Sequence, residues 1–266
     1  MSEIREYAEE VVKYVENGEV VEVEKANGVK FTGIVVRNGS VCPTIYLEEM
    51  FEERMPVALA AKKVNELAKL PKPDFIVDKM KDFRGFVKGK LRARLYNEKT
   101  FAEVQRSAKD YGFEDLIIVP YIDVETNGAT GKGSIKVKRD FLDMWDVSEE
   151  EVIDIALENS AQYVKIETIN DMMSRMMGGM TVPLPVDILV ITNDAQQYGA
   201  VSVISKLNYL RERYEDGFCV IPSSIHEVII TPKNSIDGLA LANIIKDVNA
   251  TVVKPEEVLS DKAYEF

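Results

Sequence analysis

Apolar residues near the start of the chain recur three and four positions apart: Ile4, Tyr7, Ala8, Val11, Val12 and Val15. That spacing places them on one face of a helix over residues 3–16. The period then shortens to two. In "EVVEVEKANGVKFTGIVVR", Val21 and Val23 alternate with Glu22 and Glu24, the mark of a half-buried strand. Asn27-Gly28 tolerates positive φ at both positions and predicts a hairpin into a second strand, residues 29–37. A turn at Asn38-Gly39-Ser40 and a third strand, "VCPTIYL", lead to a helix of about 20 residues from Glu48.

Two close prolines in "LPKPDF" (70–75) interrupt this pattern and divide the chain into residues 1–73 and 74–266. Beyond them, residues 76–96 read as a helix, and "TFAE" at 100–103 as a capping box opening another. "DLIIVPYIDVE" and "SIKVKR" are strands joined by the turn "TNGATGKG"; "SEEE" at 148–151 caps a helix to about Asn159. A Met-rich helix follows. Then come the strands "VDILVIT" and "GAVSVIS", the helix "KLNYLRERY", the strands "FCVIP" and "IHEVIIT", and a helix over 236–249. A strand-turn-strand-helix unit thus recurs from near Val29, Leu116 and Ile188, two copies falling in the second part. The expected class is α+β, with largely antiparallel sheets covered by helices.

Composition narrows the function classes. The 266 residues are 46% hydrophobic and 29% charged, enough for a substantial core, and the net charge of −12 disfavours nucleic acid and anionic membranes. Cys42 and Cys219 form no CxxC pair and no zinc pattern, and no cofactor motif is complete. The acidic, amphipathic N-terminus is unlike a signal peptide, and apolar runs such as "VDILVI" are too short to span a bilayer. A cytoplasmic protein is expected.

Three features invite chemistry. The single histidine, His226, lies near Ser224 and beside Glu227. On a strand, His226 would share a face with Ser224, with Glu227 opposite, leaving Ser224 and His226 as catalytic candidates without a third partner. Met172, Met173, Met176, Met177 and Met180 cluster ahead of and around Gly178-Gly179 and would give a helix an adaptable thioether surface for a protein partner. In "KDFRGFVKGKLRAR" (81–94), six basic residues face one acid, and Lys81, Arg84, Lys88 and Arg92 would form one stripe of a helix. "GATGKGS" at 128–134 lacks the glycine spacing of a phosphate loop.

Several stretches, in order over almost the whole chain, resemble an uncharacterised bacterial family, domain of unknown function family 5688. They are "NGVKFTGIVVRNGSVCPTIYLEEMFEE", "LYNEKTF", "FEDLIIVPYI", "WDVSEEEVIDIAL", "VITNDAQQYGAVSVI", "IPSSIHEVIITP" and "VNATVVKPEEVLSDKAYEF". The resemblance implies a cytoplasmic protein of a bacterium, phage or mobile element, and carries over no activity, cofactor or catalytic residue. The expected function is a non-catalytic module that binds another protein. The alternatives are an enzyme using Ser224 and His226, or a binder of anionic ligands or nucleic acid through 81–94.

Overall fold

The computed structural model describes residues 2–38, 42–69, 78–125, 132–176, 178–179, 186–233, 235 and 238–266. It is α+β, and every strand pairing among these residues is antiparallel. No helix among them is long and apolar enough to cross a membrane. The proposed boundary at 70–75, the turn residues 126–131 and Met177 and Met180 lie outside them.

Residues Ala8 to Ala68 build one hydrophobic core. Helix α1 (Glu3–Val12) lays Ala8 and Val11 on a three-stranded sheet of β1 (Gly18–Glu24), β2 (Lys30–Val36) and β3 (Thr44–Tyr46). The β1–β2 turn follows its sequence signal, with Asn27 at φ 60° and Gly28 at φ 71°. The long helix expected from Glu48 is instead two, α2 (Glu48–Glu52) and α3 (Val57–Ala68). Arg54 turns left-handed (φ 54°), and Pro56 keeps Met55 out of the helical region, so the first helix cannot run on.

Residues Met80 to Tyr264 build a second, larger core. It draws on two sheets and the helices packed against them. In one, β6 (Leu116–Glu125) is flanked by β4 (Leu91–Asn97) on one edge and by β5 (Arg106–Ser107) and β7 (Lys132–Lys136) on the other. The other runs β12 (Tyr264–Glu265), β10 (Phe218–Ser224), β11 (Glu227–Pro232), β9 (Leu189–Asn193) and β8 (Val164–Thr168). Between and around them sit α4 (Arg139–Trp145), α5 (Glu149–Ser160), α6 (Ile169–Met176), α7 (Leu207–Arg213) and α8 (Gly238–Thr251). Ser148 caps α5 as its sequence predicts, its Oγ accepting from the Glu151 amide at 3.0 Å.

The basic segment 81–94 is not a helix. Residues Phe83–Val87 make a π-turn, Lys88–Lys90 a 3-10 turn, and from Leu91 the chain is strand. The period-two run "LRARLY" won over the helical spacing upstream, because Leu91, Ala93 and Leu95 are all buried beneath α5. "TFAE" is not a capping box either: residues 101–105 alternate exposed and buried in a bent chain that is not helical. Thr100 Oγ1 accepts from the Asn27 amide (3.0 Å), while Glu103 accepts from the amide of Arg139 at the start of α4 (3.2 Å). "GAVSVIS" forms a 3-10 helix, Gly199–Lys206, so the third strand-turn-strand-helix unit is absent. Residues Gly199 to Val203 are all buried, and such a continuous apolar run carries no period to separate strand from helix. Strand β8 was not legible in advance.

The two cores meet at the β1–β2 turn. Asn27 Nδ2 donates to the carbonyls of Pro255 and Val258, both at 2.8 Å. Asn27→Gly keeps the left-handed turn and loses these bonds; Asn27→Ala loses both features. We expect Asn27→Gly to cost about 1–2 kcal/mol in denaturant unfolding, and Asn27→Ala about 1 kcal/mol more. Equal costs for the two would show that backbone conformation contributes nothing here.

Candidate functional site

Strand β4 sends Leu91, Ala93 and Leu95 to one face and Arg92, Arg94 and Tyr96 to the other. The ladder fixes what joins the arginines. Tyr121 of β6 pairs with Arg92, and Asp123 lies two residues further along the same face. Strand β7 adds Ser134 opposite Asp123 and Lys136 opposite Tyr121. The segment Asn193–Ser202 passes over this face, and between them lies a cleft of about 540 Å³.

Arg94 is the central group. It is 7% exposed, and its guanidinium carbon sits 3.9 Å from the ring centre of Tyr121 and 3.6 Å from that of Tyr198. Two tyrosine faces thus hold a flat cation between them. None of its N–H groups donates a hydrogen bond to a described residue; the nearest acid, Asp123, stands 3.9 Å from Nη2. Asp123 is equally far from Arg92 Nε, so one half-exposed carboxylate serves two cations. Arg92 is better satisfied: Nη1 donates to the carbonyls of Gly89 (3.0 Å) and Leu91 (2.7 Å), and its head lies 4.7 Å from the Tyr163 ring.

The lining carries Lys90, Arg92 and Arg94 against Asp123 and Asp194, a positive excess in a protein whose net charge is −12. Burial lowers the pKa of Lys136, and the neighbouring cations Lys25 and Arg94 lower it further. Burial raises the pKa of Tyr121 well above the usual phenol range, with Tyr96 beside it adding to the shift, so its hydroxyl keeps its proton. Behind the cleft wall, Ser202 is 2% exposed, and its buried Oγ has no hydrogen-bond partner among the described residues.

The covering segment is tightly folded. Asn193 Nδ2 donates to the Gln197 carbonyl (2.8 Å), and its Oδ1 accepts from the Gln197 amide (3.2 Å). Tyr198 is left-handed at φ 56°. A Cβ on Gly199 would come within 2.6 Å of the Asn193 nitrogen and 2.8 Å of the His226 carbonyl, so no side chain fits there.

His226 lies in the turn between β10 and β11, not on a strand, so face alternation does not govern its neighbours. Its Nδ1 accepts from the Tyr198 amide at 3.0 Å, and its Nε2 faces Glu257 Oε1 at 3.5 Å. Ser224 Oγ accepts from the backbone amide of His226 (3.1 Å). The Ser224 hydroxyl thus stabilises the turn, and the imidazole nitrogens face other groups. Lys81 pairs with Asp78 (3.1 Å) and, with Arg84, borders a separate cleft beside Trp145. Lys88 is in the 3-10 turn, so of the expected stripe Arg92 alone reaches the cleft. Met172 and Met173 are half-buried on α6. No group of three or more metal-ligating side chains occurs among the described residues.

The sequence reading did not single out Arg94, Tyr121, Tyr198 or Ser202. The signal for the first was present: in "LRARLY" two arginines stand two apart beside buried aliphatics. Arg94 also makes a stability test. Replacing a buried, poorly paired cation by an apolar group of similar length is often neutral or stabilising. Arg94→Met is therefore expected to change urea-unfolding stability by no more than about 1 kcal/mol, or to raise it. A loss of about 3 kcal/mol or more would mark Arg94 as a structural residue.

Among known proteins, no curated protein and no solved structure matches this chain. One family model does, over residues 1–266, and its description is a family of unknown function, DUF5688. The arginine cleft and the segments that frame it are therefore features of a chain that belongs, along its whole length, to the DUF5688 family.

Proposed function

We propose that this protein binds a small oxyanion-bearing molecule, a phosphate or carboxylate compound, in the cleft beneath residues 193–202. The observation that carries this reading is Arg94: a largely buried cation stacked between two aromatic rings on the cleft wall, whose guanidinium makes no hydrogen bond to a described residue. A guanidinium fork suits two oxygens of one acid group. Lys90 and Arg92 beside it add positive charge. The cleft is concave and of a size for a small molecule. A nucleic-acid polymer fits less well, since the surrounding protein is strongly acidic.

This reading relocates the anionic-ligand alternative for 81–94 from a helical stripe to a strand-borne pair. The protein-partner alternative rests, among the described side chains, on Met172 and Met173, both half-buried. Binding, with no reaction assigned, is what the cleft supports.

Thermal unfolding tests it, with pyrophosphate and citrate as separate arms. A ligand at ten times its Kd adds about 1.4 kcal/mol, which for a chain of this size raises Tm by about 3–5 °C. We expect such a rise with at least one arm for the native protein, weakened by added salt, and none for Arg94→Met. The arm that responds tells phosphate from carboxylate chemistry. Equal responses of the native protein and the variant, or no response in either arm up to about 50 mM, well above the Kd range of typical small-ligand sites, would contradict the proposal.

A further inference from the structure

We infer that His226 is a positioning residue for this oxyanion site, fixing the tyrosine that stacks on Arg94. The inference rests on the reading of the cleft just given. Tyr198 must hold a left-handed backbone conformation that a bulky residue rarely adopts, and it does so while its ring covers the guanidinium. Three bonds to one residue hold the segment there. His226 Nδ1 accepts from the Tyr198 amide (3.0 Å), and its carbonyl accepts from the Gly199 amide (3.0 Å) and from Thr192 Oγ1 (2.8 Å). The imidazole ring also packs on the Tyr198 ring, centroids 5.3 Å apart.

The tautomer follows from the same bond. An Nδ1 that accepts a hydrogen bond must carry its lone pair there, so the ring proton sits on Nε2, which faces the Glu257 carboxylate at 3.5 Å. Glu257 is itself tied to the turn, its carbonyl accepting from the Ile225 amide at 2.9 Å. The carboxylate orients the imidazole, the imidazole orients the Tyr198 backbone, and the Tyr198 ring orients Arg94. Two carbonyl bonds belong to the backbone and survive substitution; the Nδ1 bond belongs to the side chain and does not.

Two variants separate this role from simple space-filling. His226→Phe keeps a flat ring against Tyr198 and removes the acceptor; His226→Asn removes the ring and returns an acceptor oxygen close to the position of Nδ1. Pyrophosphate affinity, by calorimetry, is expected to fall about tenfold in His226→Phe and to return to within about threefold of native in His226→Asn. Exchange of the Tyr198 amide with solvent should quicken in the Phe variant alone. In the native protein, a 15N–15N coupling across the hydrogen bond from the Tyr198 amide to His226 Nδ1 is expected, and this readout does not require any variant to fold. Absence of that coupling, or native-like affinity in His226→Phe, overturns the inference. Arg94→Met, measured alongside, keeps the two claims apart. If it binds pyrophosphate like the native protein, the oxyanion site itself is wrong. If it does not bind while both His226 variants bind with native-like affinity, the positioning role alone fails.

Discussion

The guanidinium of Arg94 brings five N–H donors to the wall of a cleft, and the described residues supply no acceptor within hydrogen-bond distance. Taking a charged group largely out of bulk water is costly unless it is paired. Stacking between Tyr121 and Tyr198 returns part of that, and the shared carboxylate of Asp123 returns a little more. An apolar side chain would fold more cheaply at this position. A cation held flat and left with open donors beside a cleft has the form of a group stabilised by something that enters from outside.

The remainder of the larger core can be understood as what holds that cation in place. Antiparallel register sets Arg92, Arg94, Tyr121, Asp123 and Ser134 on one face of a sheet whose other face is committed to α5. Ser160, at the end of α5, accepts from the buried outer-edge amide of Ala93, which pins β4 in that register. A slip of one residue would turn both arginines into the aliphatic layer. On the opposite side, the 193–202 segment is shaped by Asn193, by the lack of a side chain at Gly199, and by the turn that carries His226. That turn is linked through Ile225 and Glu257 to the same C-terminal stretch whose Pro255 and Val258 carbonyls receive Asn27 from the smaller core.

Much of this was legible in the sequence, and the failures have physical causes. The N-terminal meander, the Asn27-Gly28 turn, the Ser148 cap and the β10–β11 hairpin all followed from local signals that tertiary contacts did not override. The helix expected over residues 76–96 failed because two periods overlap: Phe83 and Val87 are spaced for a helix, while Leu91, Ala93 and Leu95 alternate. Thr100 and Glu103 carry the residue types of a capping box, yet each spends its oxygen on a distant amide, a choice that spacing alone cannot reveal. His226 stood out for its neighbours in sequence, Ser224 and Glu227. Its contacts in space, Tyr198 and Glu257, lie 28 residues before it and 31 after it, and no local pattern joins them.

The most direct measurement is arginine-selective 15N NMR of the native protein as pyrophosphate is added. With the Nε–Hε resonance of Arg94 assigned from the spectrum of its methionine variant, the account predicts that this signal moves downfield and saturates with a single binding curve. An Arg94 signal that stays fixed while other arginines respond would show that its donors are not the ones awaiting an oxyanion, and would contradict the account at its base.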